Sequence, residues 1–296
     1  ALRREGYEIE ARSGLGYRLA AAPDALTAPE IRSFLGETAV VGRELRCFAE
    51  LDSTNNYAKT LAQAGAPDGT AVTADSQTAG RGRMERSFQS PKGQGIYLSV
   101  LLRPALPPDR LLPVTALAGV SVCAAVERVC GVRPGLKWPN DPVLEGKKLC
   151  GILTEVSLEA ETGRLQSMVL GIGINVLQRE EDFAPEIREV ATSLLQVLGR
   201  PVSRPRLAAA LLEELDQAYA ALLAGDLSAY LAAYRRDCVN LGRQVQLLPF
   251  GGGARETAEA VGVDEAFNLI VRGAGGATRT VRSGEVSVRG LWGYAE

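Results

Sequence analysis

Apolar residues recur at helical spacing in three stretches of the chain, and each stretch predicts a helix with a buried face. The first stretch opens at Pro107-Pro108-Asp109, since proline is well suited to the first turn of a helix. The other two, at 204–224 and 226–239, are rich in alanine and leucine. A shorter helix is predicted near 55–64, where Ser53 or Thr54 can cap its first turn.

Short apolar and β-branched runs predict strands around these helices. Before Gly242 such runs lie at 72–73, 96–102 and 168–176, with a dense block at 136–156. After Gly242 the chain changes to short runs between glycine-rich turns, which predicts a small β-barrel of about 55 residues. These runs are 245–248, 258–263, 269–271, 278–281 and 286–288.

The first residues predict the end of a helix followed by a hairpin, and two prolines then mark a linker. The hairpin strands are expected at 7–11 and 17–20, and the linker at 21–29. The whole pattern predicts three parts, which are an N-terminal remnant with its linker (1–22), a main domain (23–240) and a C-terminal barrel (241–296).

Composition narrows the kinds of protein that fit this pattern. A formal net charge of −2 and a pI of about 5.6 disfavour broad, charge-driven binding to nucleic acid or membranes. No run reaches about 18 consecutive apolar residues, so no membrane partner is expected. The five cysteines are scattered and never form a C-x-x-C pair, so neither disulfides nor a zinc site is indicated and a reducing cytoplasm is expected.

The chain contains no histidine, and this excludes several mechanisms. Ser-His-Asp hydrolysis, H-E-x-x-H zinc chemistry and imidazole proton relays all need that side chain. Lysine, arginine, acidic side chains, asparagine and backbone amides remain. They suit phosphoryl and adenylyl chemistry, which relies on positioning and charge neutralisation.

A basic, glycine-rich turn covers residues 80–86 (Gly-Arg-Gly-Arg-Met-Glu-Arg), and Lys92-Gly93-Gln94-Gly95 follows it. Glycines let backbone N–H groups approach an anion, and arginines donate in pairs to phosphate or carboxylate. An exposed basic turn, or an RGG-like contact with nucleic acid, explains the same residues. The turn is not a Rossmann fingerprint, because Glu85 stands where a glycine is needed.

Three of the chain's five lysines fall within twelve residues, in Lys137-Trp138-Pro139-Asn140-Asp141 and Lys147-Lys148-Leu149-Cys150-Gly151. Arginine occurs 28 times, so lysine at these positions indicates that a compact point charge with an adjustable pKa is needed. A hairpin turn with exposed lysines is the alternative.

Two weaker motifs complete the set. Gly171-Ile172-Gly173-Ile174-Asn175 predicts a strand whose glycines let a group lie against the backbone, and its asparagine offers an amide. Many buried strands carry such glycines. Asp52-Ser53-Thr54-Asn55 is fully explained by helix capping.

Together and in this order, the motifs resemble those of the biotin protein ligases, and the resemblance covers essentially the whole chain. Further matching segments are Gln77-Thr78-Ala79, Gly95-Ile96-Tyr97-Leu98-Ser99 and Gly284-Glu285-Val286-Ser287-Val288-Arg289. The resemblance implies an α+β fold with a catalytic domain akin to class II aminoacyl-tRNA synthetases and an SH3-like C-terminal β-barrel. Residues 1–22 are similar to the end and wing of the winged helix in ligases that double as biotin-operon repressors.

The resemblance also implies a reaction, with biotin, ATP and Mg²⁺ as the small molecules involved. The carboxylate of biotin attacks the α-phosphate of MgATP, which releases pyrophosphate and leaves biotinyl-5′-AMP. A lysine of a biotin carboxyl carrier protein or domain then attacks this mixed anhydride. A homodimer is expected, and operator DNA is expected as a partner only of a longer parent protein.

The family's binding residues carry over position by position. The pocket for the ureido group of biotin is expected to contain Ser53, Thr54, Asn55 and Gln77. A loop of Arg81, Gly82 and Arg83 is expected to close over the carboxylate and the adenylate phosphate, and Gly151 is expected to contact the same ligand.

The resemblance assigns catalytic roles to Lys148, Arg83 and Asp141. Lys148 is expected to neutralise the charge that builds as the two anions meet, and Asp141 to orient the incoming amine or the metal. Asn140 and Asn175 are expected to contact the adenylate, and Trp138 is expected to pack.

The arginine turn departs from the fullest form of the family loop at Met84, Glu85 and Phe88, which leaves open how residues 84 and 85 contribute to anion binding. Two other functions also remain open. One is lipoate or octanoate transfer on the same fold, although those relatives usually lack the combination of the lysine-rich block with a C-terminal barrel. The other is transcriptional repression by a pocket that only senses biotin.

Overall fold

The structure, a computed structural model of the chain, describes residues 2–12, 14, 16–82, 86–159, 161–249, 254–283 and 286–290. The helices are α1 (Ala28–Arg32), α2 (Thr54–Gln63), α3 (Val114–Cys130), α4 (Pro185–Arg188), α5 (Leu194–Leu198), α6 (Arg204–Ala224) and α7 (Ser228–Asp237). The strands are β1 (Glu8–Arg12), β2 (Gly16–Ala21), β3 (Leu45–Phe48), β4 (Ala71–Ala74), β5 (Gly95–Leu102), β6 (Gly135–Lys137), β7 (Asp141–Leu144), β8 (Lys147–Lys148), β9 (Cys150–Leu158), β10 (Leu165–Asn175), β11 (Gln244–Pro249), β12 (Glu256–Val263), β13 (Leu269–Arg272), β14 (Thr278–Val281) and β15 (Val286–Gly290).

A five-stranded mixed sheet forms the centre of the main domain, in the order β3-β4-β5-β10-β9. Strands β3 and β4 run parallel, and the other neighbouring pairs are antiparallel. Both β4 and β5 are buried at every position. Because strand side chains alternate between the two faces, such strands must be covered on both sides. Strands β6, β7 and β8 form a separate small antiparallel sheet.

Helices α3 and α6 pack together and cover one face of the central sheet. Val100 of β5 and Leu170 of β10 meet Leu117 of α3 and Leu215 of α6 there. The stretch Pro108–Cys130 is long and apolar enough to span a membrane by length and composition, but 61% of its apolar window is buried in the protein. It packs here as the central helix of the core.

The opposite face of the sheet is only partly covered by helix. Ala58 of α2 packs against Val72, Leu101 and Val169, and these four residues form a small second core. Helix α2 contacts β4, β5 and β10 on this face. A cleft is therefore expected where α2 begins.

The two terminal parts are made of antiparallel strands. Strands β1 and β2 form a hairpin, and the C-terminal strands form a sheet in the order β14-β13-β12-β11-β15, so the strands predicted at both ends are present. Tyr7 attaches the hairpin segment by donating to Glu30 Oε1 of α1 at 2.5 Å. The C-terminal sheet is attached by Trp138 Nε1, which donates to Phe267 O at 3.0 Å, and by Arg235, which donates to Val263 O at 2.6 Å.

Arg204, at the first turn of α6, joins the linker to the central sheet. Its side chain is 4% exposed, and it pairs with Asp24 of the linker at 2.8 Å and with Asp75 after β4 at 2.6 Å. The backbone N–H of Arg204 also donates to Asp24 Oδ1 at 2.7 Å. Burial acts to lower the pKa of Arg204, but the hydrogen bonds to both carboxylates outweigh burial and raise it. The linker is therefore held by a permanent buried charge.

Two helix boundaries differ from the prediction. The long helix expected from residue 107 begins at Val114 after a 3₁₀ turn at Pro108–Leu111, because Pro113 lacks an N–H and its ring opposes the preceding turn. The linker expected to reach residue 29 ends at Thr27, whose hydroxyl accepts from the N–H of Glu30 and caps α1.

Arg204→Ala removes the cation that neutralises Asp24 and Asp75. We expect the free energy of unfolding to fall by about 2–4 kcal/mol, because losing one partner of a buried ion pair costs several kcal/mol and Asp24 is partly exposed. Urea denaturation followed by circular dichroism measures the change. Arg206→Ala, at an exposed position of the same helix, is the control and should change stability by less than about 0.5 kcal/mol. Equal effects of the two substitutions would contradict the role of the buried charge.

Candidate active site

Glycine alternates with isoleucine along β10, so the two faces of this strand differ. Ile172 and Ile174 belong to the main core, while Gly171 and Gly173 face the opposite side, toward residues of α2 and of the segment after the arginine turn. On β9, Gly151 pairs with Gly173 across the ladder. Because these three glycines carry no side chains, they leave a flat floor on the cleft face of the sheet.

Side chains from three other segments lie on this floor. A methyl group at Gly171 would lie 2.1 Å from Asn55 Oδ1, and one at Gly173 would lie 2.5 Å from Phe88 Cε1. At Gly151 the corresponding distances are 3.0 Å to Phe88 Cε2 and 3.8 Å to Lys148 Cε. The floor therefore brings an amide, an aromatic ring and the stem of a lysine into one cleft.

A chain of hydrogen bonds orients the polar groups at the α2 end of the cleft. Ser99 Oγ lies 2.6 Å from Asn55 Oδ1 and 2.7 Å from Thr54 Oγ1. Gln77 Oε1 accepts from the backbone N–H of Thr54 at 2.8 Å and from its hydroxyl at 3.1 Å. Gln77 Nε2 donates to Ser90 Oγ at 2.8 Å. Fixed donors and acceptors in a mostly buried position are what a site for a small polar ligand requires.

Capping explains residues 52–55 only in part. Ser53 is the N-cap residue of α2 by its extended backbone, but its hydroxyl makes no capping hydrogen bond. Gln77 supplies the acceptor for the first turn instead. Asp52 accepts from Asn56 Nδ2 at 2.7 Å, and this bond lowers the pKa of Asp52. The first turn of α2 is thus held by a residue of the cleft and not by its own cap.

Glu155 of β9, which no sequence motif predicted, pairs with the charged side chains at the outer edge of the cleft. Its Oε1 pairs with Lys59 at 2.5 Å and with Arg81 at 3.4 Å, and its Oε2 accepts from Asn55 Nδ2 at 2.8 Å. Burial acts to raise the pKa of Glu155, but the hydrogen bonds from Lys59 and Asn55 and the nearby positive charges outweigh burial and lower it. Alternation along β9 from Gly151 would have placed residue 155 on the cleft face.

Lys148 lies at the other end of the cleft. Its Nζ donates to Asp141 Oδ1 at 2.7 Å, and the two residues come from the paired strands β8 and β7. The backbone of Lys148 is held on its other side by Val190 and Thr192, at 2.7 and 2.9 Å. The lysine side chain is 32% exposed and the carboxylate 9% exposed. From this position the ammonium group can reach an anionic ligand in the cleft.

Three of the predicted residues near Lys148 are buried and hold the surrounding turns. Asn140 is fully buried, and its Nδ2 donates to Ile152 O at 3.0 Å. Asn175 Nδ2 donates to Thr192 O at 3.0 Å. Trp138 packs inside the protein and contacts the C-terminal sheet. Contact of either asparagine with an adenylate stays a prediction, since both support the walls of the cleft in this structure.

The structure describes the two ends of the arginine turn (residues 80–86), which are residues 80–82 and 86. Gly82 N donates to Arg86 O at 2.7 Å and Phe88 N donates to Gly80 O at 2.9 Å, so segments 80–82 and 86–88 lie side by side. Arg81 also donates to Asn56 Oδ1 at 2.9 Å. The predicted catalytic residue Arg83 lies outside the described residues, as do positions 84 and 85.

Arg81 and Lys148 occupy different ends of the cleft. Arg81 pairs with Glu155, whereas Lys148 lies next to Gly151. Four residues of a strand separate Gly151 from Glu155, or about 13 Å. The loop nevertheless reaches the lysine end through Phe88, which contacts the floor beside Lys148. The structure thus brings the loop and the lysine to one cleft, without direct contact between Arg81 and Lys148.

Known proteins match this chain along most of its length. Residues 47–175 match the Biotin/lipoate A/B protein ligase family. The bifunctional ligase/repressor BirA of Bacillus subtilis is 46% identical over 203 residues, which are 69% of this chain and 62% of that protein. The biotin--[acetyl-CoA-carboxylase] ligase of Mycobacterium tuberculosis is 36% identical over 82% of this chain and 88% of its own length. The solved biotin protein ligase from Aquifex aeolicus in complex with biotin and ATP has a TM-score of 0.71 and 31% identity, over 83% of this chain and 99% of that one.

The fold and the cleft define a mixed-sheet domain with a cleft over a glycine floor, and a second β-sheet unit is attached to it. The relatives give this domain its family. The chain belongs to the biotin protein ligases. It spans about three fifths of the length of the B. subtilis relative.

Gly171→Ala tests the glycine floor, because its methyl group would lie 2.1 Å from Asn55 Oδ1 and Asn55 must move. We expect the free energy of unfolding to fall by about 1–3 kcal/mol, the usual cost of overpacking a buried site. Chemical denaturation measures this. Gly262→Ala is the matched control, since a methyl group there would lie 3.5 Å from Ile270, and its effect should stay below about 0.5 kcal/mol. If Gly171→Ala left stability and the position of Asn55 unchanged, the packing argument would be wrong.

Proposed function

We propose that this chain activates biotin with ATP to form biotinyl-5′-AMP and transfers the biotinyl group to a lysine of a biotin carboxyl carrier protein or domain. The observation that carries the proposal is one glycine-floored cleft in which the neutral hydrogen-bonding groups of Thr54, Asn55 and Gln77 lie toward α2 and Lys148 lies toward the other end. Biotin has a polar uncharged ring at one end and a carboxylate at the other, which matches this division. The names of the M. tuberculosis and A. aeolicus relatives support the choice of biotin and ATP.

The ureido ring of biotin fits the α2 end of the cleft. A cyclic urea carries two N–H donors and one carbonyl acceptor, and Thr54, Asn55 and Gln77 offer both kinds of group in fixed orientations. Ser53, buried at the start of the same helix, lies beside them in the sequence. Selectivity follows because a ligand that fails to match buried polar groups leaves them unsatisfied.

Lys148 fits the point where the carboxylate of biotin meets the α-phosphate of ATP. A carboxylate oxygen forms a bond to phosphorus there while the bond to pyrophosphate breaks, and both reactants are anions. A fixed cation between them stabilises the charge that develops in the transition state. Asp141 holds the ammonium group of Lys148 in place before the anions arrive. In the second step it can orient the amine of the carrier lysine, which attacks the biotinyl carbonyl as AMP leaves.

Magnesium fits this cleft as part of MgATP and not as a metal in a protein cage. The described residues contain no group of three or more His, Cys, Asp or Glu side chains that could hold a metal ion. Mg²⁺ in nucleotide sites keeps several waters and binds one or two carboxylates together with the phosphates. Asp141, next to Lys148, is the carboxylate that we propose for this contact.

The loop of Arg81, Gly82 and Arg83 is proposed to close over the carboxylate and the phosphate. Arg81 supports this because its side chain is 45% exposed and its partners, Glu155 and Asn56, lie at the rim of the cleft. A bidentate guanidinium contact with a ligand anion is stronger than a long, partly exposed ion pair. Gly151, which lies under the ring of Phe88 and next to Lys148, is proposed to contact the ligand at this edge of the floor.

Strand β9 is the proposed contact surface for the carrier and for a second copy of the chain. It lies at the end of the central sheet, and its residues Val156 and Leu158 are about half exposed. A strand at an open sheet edge, with exposed apolar side chains, pairs readily with another strand. The proposal is therefore a homodimer through this edge, and a carrier that approaches the same side of the cleft.

The terminal parts are proposed to be an SH3-like barrel and a remnant of a winged helix. In the N-terminal hairpin, the register places Ile9 opposite Leu19 and Ala11 opposite Tyr17, so these apolar residues share one face. Leu19 and Tyr17 are 56% and 82% exposed, so the apolar face of the hairpin is open. Operator DNA is a proposed partner of a longer parent protein, in line with the ligase/repressor name of the B. subtilis relative. A cytoplasmic location suits the five free cysteines.

The direct test is to incubate the chain with biotin, MgATP and a purified biotin carboxyl carrier domain, followed by mass spectrometry of the carrier. We expect the addition of one biotinyl group at a single lysine. Lipoate is tested in parallel, because the matching family includes lipoate ligases. Transfer of a lipoyl group in place of biotin would replace the proposal with its alternative.

Lys148→Ala should slow formation of biotinyl-5′-AMP by about a hundredfold or more, since losing one group that stabilises transition-state charge has about this cost. Pyrophosphate release measures the step. Lys147→Ala is the matched control, because Lys147 is the neighbouring residue of β8 and has a similar burial. A near-normal rate in the Lys148 variant would remove this residue from the mechanism.

A further inference from the structure

Glu155 contacts both the polar end of the cleft and the arginine turn. Its two carboxylate oxygens are divided between them, because Oε2 accepts from Asn55 and Oε1 pairs with Lys59 and Arg81. The side chain is 20% exposed. It projects from β9, where Val169 of β10 is its neighbour across the ladder. Glu155 thus has little freedom to leave these partners.

The carboxylate of Glu155 decides which way the amide of Asn55 faces. An ionised carboxylate only accepts hydrogen bonds, so Asn55 must turn its Nδ2 toward Glu155. The Oδ1 atom then faces Ser99 Oγ at 2.6 Å and lies over Gly171. The opposite orientation would place two oxygen atoms against each other beside a negative charge. One N–H and one lone pair of the amide are left for a ligand such as a cyclic urea.

The same carboxylate holds the arginine turn at the rim. Arg81 is 3.4 Å from Oε1, while its other nitrogen donates to Asn56. Lys59 and Arg81 both pair with the one carboxylate of Glu155, so Arg81 stays near the cleft without a ligand.

We propose that Glu155 is a positioning residue that fixes the orientation of the Asn55 amide and tethers Arg81. One side chain then determines both the hydrogen-bonding pattern of the pocket and the position of the loop. The proposal rests on the proposed function, since the ligand that it concerns is biotin. Glu155 touches no reacting atom. It acts through Asn55 on binding and through Arg81 on the position of the loop.

Two substitutions at position 155 separate these roles. Glu155→Gln keeps an acceptor for Asn55 but removes the charge that holds Arg81, whereas Glu155→Ala removes both. Isothermal titration with biotin should therefore show a loss of affinity of about tenfold for the Ala variant, the size expected for one charge-assisted hydrogen bond, and less than about threefold for the Gln variant. Glu161→Ala, at an exposed position of the β9–β10 turn, is the control and should bind as the unaltered protein does.

A double-mutant cycle with Asn55→Ala distinguishes positioning from general destabilisation. If Glu155 acts on biotin through Asn55, then adding Glu155→Ala to Asn55→Ala should weaken binding by less than about twofold. Independent, additive losses in the two variants would overturn the role assigned to the amide. Equal affinity of Glu155→Ala and the unaltered protein would overturn it as well.

Limited trypsin digestion tests the tether without any ligand. Cleavage after Arg81 should be several times faster in both Glu155 variants than in the Glu161 control, since both have lost the ion pair that holds the loop. Unchanged cleavage would overturn the tether. If the unaltered protein bound no biotin, the proposed function would fail in the titration arm, while the digestion arm would still decide the part of the inference that concerns Arg81.

Discussion

The absence of side chains at Gly171 and Gly173 of β10 is the constraint on which the cleft depends. The strand is packed on both sides, so any atom added at Gly171 or Gly173 would take space that Asn55 or Phe88 now fills. Helix α2 and the end of the arginine turn can come down onto the sheet only because these positions are empty. The isoleucines between them fill the other face and anchor the strand in the core.

Each end of this floor carries its own ion pair, and neutral groups lie between the two ends. At one end Lys148 pairs with a nearly buried aspartate, and at the other Glu155 is shared between two cations and an amide. Hydroxyls and amides lie between the two, and their hydrogen bonds leave them in one orientation. Without histidine, the chain offers no imidazole proton relay, and the proposed reaction relies on holding charged reactants in register.

Much of the fold could be predicted from the sequence, because the signals were periodic. The long helix at 204–224, strands β5 and β10 and the C-terminal strands all stood out by spacing or by flanking glycines. The start of α3 was predicted too early. The apolar pattern continues through residues 107–113, but Pro113 keeps the preceding turn out of the α-helix, which begins at Val114. Glu155 was missed for another reason. Its importance comes from partners that are far from it in the chain, and a single glutamate in a strand carries no signal of that kind.

Arg204 gives the amino-terminal segment a fixed attachment point. A guanidinium group that cannot lose its proton is buried between Asp24 of the linker and Asp75, which lies two residues before Gln77 of the pocket. Pulling the linker away would break the buried ion pair with Asp24 and the hydrogen bond from the Arg204 backbone, so the linker and the strand end that leads to the pocket are both tied to one residue. A displacement of the linker would therefore act through a single side chain on the strand end that carries Gln77, which couples the amino-terminal segment to the pocket.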